Sequence, residues 1–161
     1  METVEYRPIG VIYTPFKEQK GTPIQPGAAI GVKGHIELFE DYIEGLDGLE
    51  GFSHVVLVFH MHLSRGYKLK VIPYMGNEEI GVFATRAPKR PNPIGISVVK
   101  LLHIKKNIIE IENVDIVDGT PLLDIKPFVP PFDTAEEVRI GWLKQRIHKL
   151  SQTRDDGRFC S

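Results

Sequence analysis

Residues 96–114 read Ile-Ser-Val-Val-Lys-Leu-Leu-His-Ile-Lys-Lys-Asn-Ile-Ile-Glu-Ile-Glu-Asn-Val, and this pattern points to a β fold. Two runs rich in branched apolar residues, Ile96–Ile104 and Ile108–Val114, are separated by the polar tripeptide Lys105–Asn107. Strand-like runs joined by a short polar turn are typical of a β-hairpin. The stretch therefore predicts two neighbouring antiparallel strands.

Further strand-like segments lie on both sides of this hairpin. His54–Leu63 is almost continuously apolar, as expected of a strand that is buried on both faces. Shorter β-rich segments, bounded by turn residues, complete the set: Ile9–Tyr13, Ala29–Leu38, Glu79–Ala84 and Pro121–Lys126. Because the strands are closely spaced and do not alternate with helices, we predict a mainly β fold, a small antiparallel β-barrel.

Helix signals are few. Glu40–Gly45 predicts one or two turns, and Ala135–Leu150 predicts one C-terminal helix, with acidic residues in its first turn and basic residues in its last. Gly141 weakens that helix by roughly 1 kcal/mol relative to alanine. We expect one domain over residues 1–161, with peripheral short helices, the C-terminal helix and a tail from about 151 to 161.

Composition restricts the class of protein. The chain has 161 residues, of which 42% are hydrophobic and 25% charged, and this suits one globular domain with a real core. No apolar run is long enough to span a bilayer, and Met1–Glu5 lacks the start of a signal peptide. The one cysteine, Cys160, has no partner for an internal disulfide. These features predict a cytoplasmic protein.

The net charge of −1 hides an uneven distribution of charges. Residues 1–60 contain nine acidic and four basic residues, whereas residues 61–110 contain nine basic and three acidic residues. The local positive excess predicts a surface that faces a polyanion such as RNA. A solvated face that is balanced by the acidic first third explains the same counts.

Residues 83–97 read Phe-Ala-Thr-Arg-Ala-Pro-Lys-Arg-Pro-Asn-Pro-Ile-Gly-Ile-Ser. Three prolines exclude the interior of a helix or strand, and Arg86, Lys89 and Arg90 add three cations. Rigid loops on a scaffold are where proteins often carry their function. A plain connector with solvated charges is the competing interpretation.

Three histidines lie in the long apolar segment. His54, His60 and His62 occupy alternate positions, which predicts that they share one face of the strand. No nearby cysteine or carboxylate cluster completes a tetrahedral ligand set, so we expect no metal. The histidines are better interpreted as part of a pocket wall or as core residues with hydrogen-bond partners.

Two more turn segments carry polar groups. Gly21–Gly27 presents the amide of Gln25 between two prolines, where it can both donate and accept hydrogen bonds. Asp118–Pro121 is a strong turn signal, and simple turn geometry accounts for its aspartate. Asp124 and Lys126 follow on one face of a short strand, and such a pair could hold a zwitterion such as an amino-acid moiety.

Together these segments resemble the TrmO family, also called the TsaA-like or YaeB family. The most specific element is Thr-Arg-x-Pro-x-Arg-Pro-Asn-Pro-Ile-Gly, which begins at Thr85. The chain resembles the short form of the family, which lacks an additional C-terminal domain. The segments that carry the resemblance are Pro23–Gly27, Gly51–His54, Phe83–Ser97, Asp115–Pro127 and Asp156–Phe159.

The resemblance implies a β-barrel methyltransferase that uses S-adenosyl-L-methionine and lies outside the Rossmann class. It implies methylation of N6 of threonylcarbamoyladenosine, next to the anticodon of a threonine tRNA. It also implies a homodimer with the cofactor near the subunit interface. The alternatives are a non-catalytic RNA- or nucleotide-binding barrel, or a methyltransferase of the same fold with another substrate.

The resemblance also implies a set of site residues. Asp118 or Asp124 would meet the methionine ammonium of the cofactor, and Arg86 its carboxylate. His54 or His60 is the candidate base for the N6 proton. The expected cofactor contacts are Pro23, Ile24, Gln25, His60, Met61, Arg86, Ile96, Asp118, Gly119, Thr120, Pro121 and Leu122. The expected contacts to tRNA and its modified nucleoside are Lys89, Arg90, Asn92, Asp124 and Lys126.

Overall fold

A closed barrel of six antiparallel strands forms the centre of the computed structural model, which describes residues 1–160. The strands in chain order are β1 Gly10–Tyr13, β2 Lys33–Leu38, β3 His54–His60, β4 Lys70–Val71, β5 Ile80–Gly81, β6 Ile94–Lys105, β7 Ile108–Glu112 and β8 Thr120–Pro127. The barrel order is β1-β2-β7-β6-β3-β8, and β8 pairs with β1 to close it. β4 and β5 form a separate two-stranded ribbon. The predicted barrel is confirmed.

Alternation along each strand fills the barrel interior. Val55, Leu57 and Phe59 of β3 are buried in one core with side chains from the other five barrel strands. Val56, on the opposite face of β3, is buried as well, so the prediction of a strand covered on both faces holds there. The barrel is therefore held mainly by apolar burial, which at about 25 cal/mol per Å² is the dominant favourable term in folding.

The predicted hairpin is confirmed, with one change at its start. Lys105 pairs with Ile108 across the turn, and β6 begins at Ile94, inside the proline-rich loop rather than after it. The predicted strand Glu79–Ala84 shrinks to the two residues of β5, followed by a 3₁₀ turn over Val82–Ala84.

The prediction of a continuous C-terminal helix is wrong. Residues 135–140 are irregular, and the segment forms two 3₁₀ turns, Gly141–Gln145 and Ile147–Gln152. Gly141 has φ +55°, which a right-handed helix cannot contain. Val138 is 63% exposed, so the segment has no continuous apolar face whose burial would stabilise a helix.

The remaining helical segments are short. The α-helix in the described residues is the four-residue α1, Pro130–Asp133. The turn predicted near Glu40 is present as the 3₁₀ helix Glu40–Leu46. Two further 3₁₀ segments are Pro26–Ala28 and Leu49–Gly51.

Residues 141–160, here called the C-terminal strap, fold back onto the loops at one end of the barrel. The Asp155 amide donates to the Thr22 carbonyl at 2.9 Å, and the Gly21 amide donates to the Asp155 carbonyl at 2.6 Å. Phe159 is buried in a second apolar cluster with Val71, Val82 and Ala87. The strap thus connects the 21–25 loop to the ribbon formed by β4 and β5.

Among the described residues, no helix has the length and apolar character needed to cross a bilayer.

Candidate active site

The rigid segments of the sequence meet at one end of the barrel. This end contains the C-terminal end of β3 and the N-terminal ends of β6 and β8, which lie together because neighbouring strands are antiparallel. A half-open cavity of about 230 Å³ lies between them. Its wall includes residues 22–25, 61–64, 94–97 and 115–117, together with Tyr74, Arg86, Arg90, Thr120 and Asp155.

Arginine side chains stiffen this wall. The Arg86 guanidinium donates to Gln25 Oε1 at 2.9 Å and so joins two of the rigid loops. Arg90 donates to the carbonyl oxygens of Thr85 and Ala87 at 3.0 and 3.1 Å. Arg90 therefore braces its own loop, while Arg86 spans the gap between loops and leaves further donors for a ligand.

Asp115 supplies a partly buried carboxylate that the sequence interpretation did not single out. Its Oδ1 accepts the Ser97 hydroxyl at 2.6 Å. Burial raises the pKa of Asp115 to about 6, against the opposing effects of Ser97 and the Arg86 charge. A cationic ligand would stabilise the ionised form of such a carboxylate, because the ligand's charge offsets the free-energy cost of burying the anion.

His62 is held at the cavity wall by Thr120. The Thr120 hydroxyl donates to the Val117 carbonyl at 2.6 Å and lies 3.3 Å from His62 Nδ1. Burial, followed by the nearby His60 and Arg65, lowers the pKa of His62. His62 is therefore neutral at neutral pH and forms part of the cavity wall.

A wider cavity of about 640 Å³ adjoins the first. The two cavities share Ile24, Gln25, Tyr74 and Arg86, so the Arg86–Gln25 hydrogen bond lies in the wall between them. The far side of the second cavity is mainly apolar and includes Trp142 of the C-terminal strap.

With this geometry in place, comparison with known proteins identifies the family. The family model described as the tRNA-methyltransferase O N-terminal domain matches residues 11–134. The chain belongs to this family. The resemblance to the TrmO family seen in the sequence is confirmed.

Individual relatives agree with this assignment. A Pyrococcus abyssi protein named probable S-adenosyl-L-methionine-binding protein is 59% identical over 156 residues, which cover 97% of this chain and 85% of the relative. The Escherichia coli tRNA (adenine(37)-N6)-methyltransferase is 41% identical over 140 residues, covering 81% of this chain and 60% of the relative.

A solved structure has the same fold. The crystal structure of TrmO from Pseudomonas aeruginosa matches with a TM-score of 0.73 and 40% identity, covering 88% of this chain and 63% of that chain. The chain thus spans about three fifths of the length of this structure and of the Escherichia coli relative, and most of the length of the Pyrococcus relative.

Seven of the twelve cofactor residues expected from the TrmO family line the first cavity, and five do not. Those at the cavity are Pro23, Ile24, Gln25, Met61, Arg86, Ile96 and Thr120. Those outside it are His60, Asp118, Gly119, Pro121 and Leu122. The Leu122 side chain is fully buried in the barrel core, and His60 is exposed outside the cavity wall.

Asp118 has a structural partner elsewhere. Lys17 Nζ lies 2.7 Å from Asp118 Oδ2, and the Thr14 amide donates to Oδ1 at 2.9 Å. These contacts, led by the hydrogen bond from Lys17, lower the pKa of Asp118. The carboxylate therefore ties its turn to the chain after β1.

His54 lies at the opposite end of β3. Six residue steps separate it from His60, a distance of roughly 20 Å along a strand. Its ring packs edge-on against Phe128, and its Nδ1 is 2.8 Å from the Ser53 hydroxyl. This position places His54 outside the reach of a ligand in the cavity.

The residues expected to contact RNA are dispersed. Asp124 and Lys126 do share a face of β8, but their side chains form an ion pair at 2.8 Å away from the cavity. Lys89 is buried, with Nζ donating to the Arg65 carbonyl at 2.9 Å, which corrects the expectation of a phosphate-facing ammonium. Asn92 is exposed on the loop, and Arg90 lines the cavity.

No group of three or more histidine, cysteine or carboxylate residues with metal-binding geometry occurs within residues 1–160.

Which residues reach the cavity depends on where the strands end. Asp115 comes three residues after β7, and His62 two residues after β3, at the same end of the barrel. Polar residues just beyond strand ends that share one barrel mouth are the signal that could have identified Asp115 and decided between the pocket-wall and core interpretations of His62. The sequence interpretation instead weighed turn signatures and strand periodicity.

Proposed function

We propose that this protein transfers a methyl group from S-adenosyl-L-methionine to N6 of an adenosine next to the anticodon of a tRNA. Membership of the TrmO family and the names of the relatives support this function. The observation that carries it is the cavity wall, which combines the Asp115 carboxylate with the Arg86 guanidinium. S-adenosyl-L-methionine carries an ammonium, a carboxylate and a sulfonium, and therefore needs both signs of charge.

Different residues of the cavity wall bind different parts of the donor. Asp115 attracts the positive end, and its ionised form is favoured when a cation enters. Arg86 meets the donor carboxylate, for which a planar guanidinium offers two parallel hydrogen bonds. Ile24 and Ile96 supply apolar contact to the adenine. When bound, the donor supplies an activated methyl group on sulfur.

The acceptor is threonylcarbamoyladenosine in a threonine tRNA, as the family resemblance implies. The threonylcarbamoyl group ends in a carboxylate, and Arg90 is a guanidinium at the cavity wall that can pair with it. Lys126 is less suitable because it faces away from the cavity and is engaged with Asp124. The adjoining apolar cavity with Trp142 offers a surface for the acceptor base.

The active unit is a homodimer in a cytoplasmic setting. Three apolar side chains on or beside the proline-rich loop are exposed, Phe83 at 73%, Ile94 at 43% and Ile96 at 50%. A second copy would cover them and narrow the cavity mouth. Light scattering should give twice the chain mass, and Ile94→Asp should shift the sample to monomer.

One experiment tests the activity. The purified protein is incubated with methyl-labelled S-adenosyl-L-methionine and threonine tRNA that carries or lacks the threonylcarbamoyl group, and the digested nucleosides are identified by mass spectrometry. Label on N6 of the modified adenosine alone supports the full proposal. Equal methylation of unmodified adenosine contradicts the substrate, and tRNA binding without label favours the non-catalytic barrel.

A further inference from the structure

We propose that Nε2 of His62 is the general base that accepts the N6 proton during methyl transfer. The inference rests on the proposed function and adds a catalytic residue to it. It replaces the sequence-based candidates His54 and His60, since neither lines the cavity.

The hydrogen bonds around His62 define which ring nitrogen is free. A hydroxyl has one proton to donate, and that of Thr120 goes to the Val117 carbonyl at 2.6 Å. Thr120 Oγ1 therefore acts as acceptor toward His62 Nδ1, which lies 3.3 Å away. This network assigns the ring proton to Nδ1 and leaves a lone pair on Nε2. Thr120 is 2% exposed, so water does not compete for this contact.

The charges around the ring keep that lone pair available. His60 and Arg65 disfavour a second proton on His62, as burial does. The other titratable and charged groups of the same wall are Tyr74, Arg86, Arg90, Asp115 and Asp155. Asp115 is less suited to the role because its carboxylate accepts the Ser97 hydroxyl and is needed as the counter-charge to the donor.

The acceptor nitrogen needs such a base. Its lone pair is delocalised into the purine and the carbamoyl carbonyl, so the neutral nitrogen is a poor nucleophile. In the proposed step the N6 electron pair forms a bond to the methyl carbon while the carbon–sulfur bond breaks, and its electron pair stays on sulfur. The N6–H proton moves to His62 Nε2, and the resulting imidazolium releases it to solvent. Charge balances, since one sulfonium is consumed and one proton is formed.

The test compares two histidines. His62→Asn keeps an amide that can donate to Thr120 but removes the base, and His103→Asn, at an exposed position of β6 outside the cavity wall, is the matched control. Under single turnover with threonylcarbamoylated tRNA we expect a 10²- to 10⁴-fold lower rate for His62→Asn and a change of less than threefold for His103→Asn. Donor affinity measured by calorimetry should stay within threefold for both variants, which also verifies that the cavity has folded.

The pH dependence of the methyl-transfer rate gives a second readout. The profile is measured with saturating donor, whose positive charge keeps Asp115 ionised. The wild-type rate should then fall at low pH as His62 becomes protonated, and this limb should disappear in His62→Asn. Thr120→Val frees Nδ1 and lets the ring take either tautomer, so it should lower the rate at least tenfold. Thr120→Ser should restore it to near the wild-type value.

The outcomes separate this proposal from the activity itself. A wild-type protein that methylates no tRNA overturns the proposed function. A wild-type protein that is active, with His62→Asn within threefold of it or with an unchanged acidic limb, overturns the role of His62. If the fall in rate at low pH disappears in Asp115→Asn but is kept in His62→Asn, the base is Asp115, and the role of His62 is likewise overturned.

Discussion

At the scale of single residues, Arg86 does two things in the cavity wall. It holds Gln25 through a hydrogen bond of 2.9 Å and presents charge to the cavity. Arg86→Ala should weaken S-adenosyl-L-methionine binding by roughly 10- to 100-fold, because a hydrogen bond to a charged group contributes about 1.5–3 kcal/mol. Calorimetric titration measures this, and Arg139→Ala, at an exposed position, is the control. Equal affinity in both variants would remove Arg86 from the donor site.

Asp115 shows how a binding residue can reduce the stability of the free protein. Its pKa is about 6 when folded and near 3.8 when unfolded, so between these values the folded state binds more protons. Stability supplied by the protonated carboxyl is therefore lost as pH rises from about 4 to 6. Each pKa unit corresponds to about 1.4 kcal/mol, which sets an upper bound on the order of 3 kcal/mol.

Asp115→Asn should therefore stabilise the free protein at pH 7 while weakening donor binding. Asparagine keeps an acceptor for the Ser97 hydroxyl and carries no charge to bury. The difference in the free energy of unfolding between variant and wild type should grow from pH 4 to pH 6 and stay level above that range. Urea denaturation at several pH values measures it. A difference that is constant across the range would contradict the raised pKa.

At the scale of elements, β3 and β6 approach each other closely beside the cavity. Gly95 of β6 pairs with Phe59 of β3, and a Cβ at Gly95 would overlap the Phe59 ring. Gly95→Ala should therefore lower the free energy of unfolding by about 1–3 kcal/mol, the usual cost of overpacking. Gly81→Ala is the matched control, because its Cβ would meet open space in β5. Similar denaturation midpoints for the two variants would contradict the prediction.

The C-terminal strap is an element that lies beyond the part matched by the family model. Phe159 is 5% exposed, whereas Phe132 is 84% exposed. Phe159→Ala should cost about 3 kcal/mol in the second cluster, a typical value for a buried phenylalanine. We expect faster hydrogen exchange in the segments that the strap holds, residues 21–25 and 70–90, and weaker donor binding. The barrel strands should keep their protection, and Phe132→Ala should change neither property.

The strands were predictable from the sequence because alternation and β-branched runs act locally. The hairpin at Lys105–Ile108 and the apolar run of β3 both follow from such patterns. The C-terminal helix was wrong because its charge pattern suited a helix while Gly141 takes a positive φ and no apolar face forms. Local propensity is a weak guide where burial does not support it.

The candidate site was predictable only in part. Proline- and glycine-rich loops identified Gln25 and Arg86, because their rigidity and charge are local properties. Asp115 was not singled out as a cavity residue, since its position depends on the register of strands that are distant in sequence. His62 was interpreted as a residue of a pocket wall or of the core, and the sequence did not decide between the two. Register is set by long-range pairing, which no single segment encodes.

At the scale of the whole molecule, a cluster of positive charge near the cavity is segregated from an acidic segment at the other end of the barrel. The cavity end carries cations on the chain after β3, including the exposed Lys68 and Lys70. The opposite end carries the acidic 3₁₀ segment Glu40–Leu46 beside β2, together with the two lysines of the hairpin turn. A polyanion is therefore attracted to the cavity end, whereas charges of both signs offset each other at the far end.

This segregation leads to a prediction about tRNA binding. Replacing both Lys68 and Lys70 by alanine should weaken tRNA binding and reduce the slope of log Kd against log salt by about 1–2, since each phosphate contact contributes about 0.7–0.9. The matched control replaces Lys105 and Lys106, two exposed lysines in the hairpin turn at the far end of the barrel. Fluorescence anisotropy with labelled tRNA at several salt concentrations measures both slopes. If the far-end variant loses as much slope as the cavity-end variant, tRNA does not approach by the cavity end.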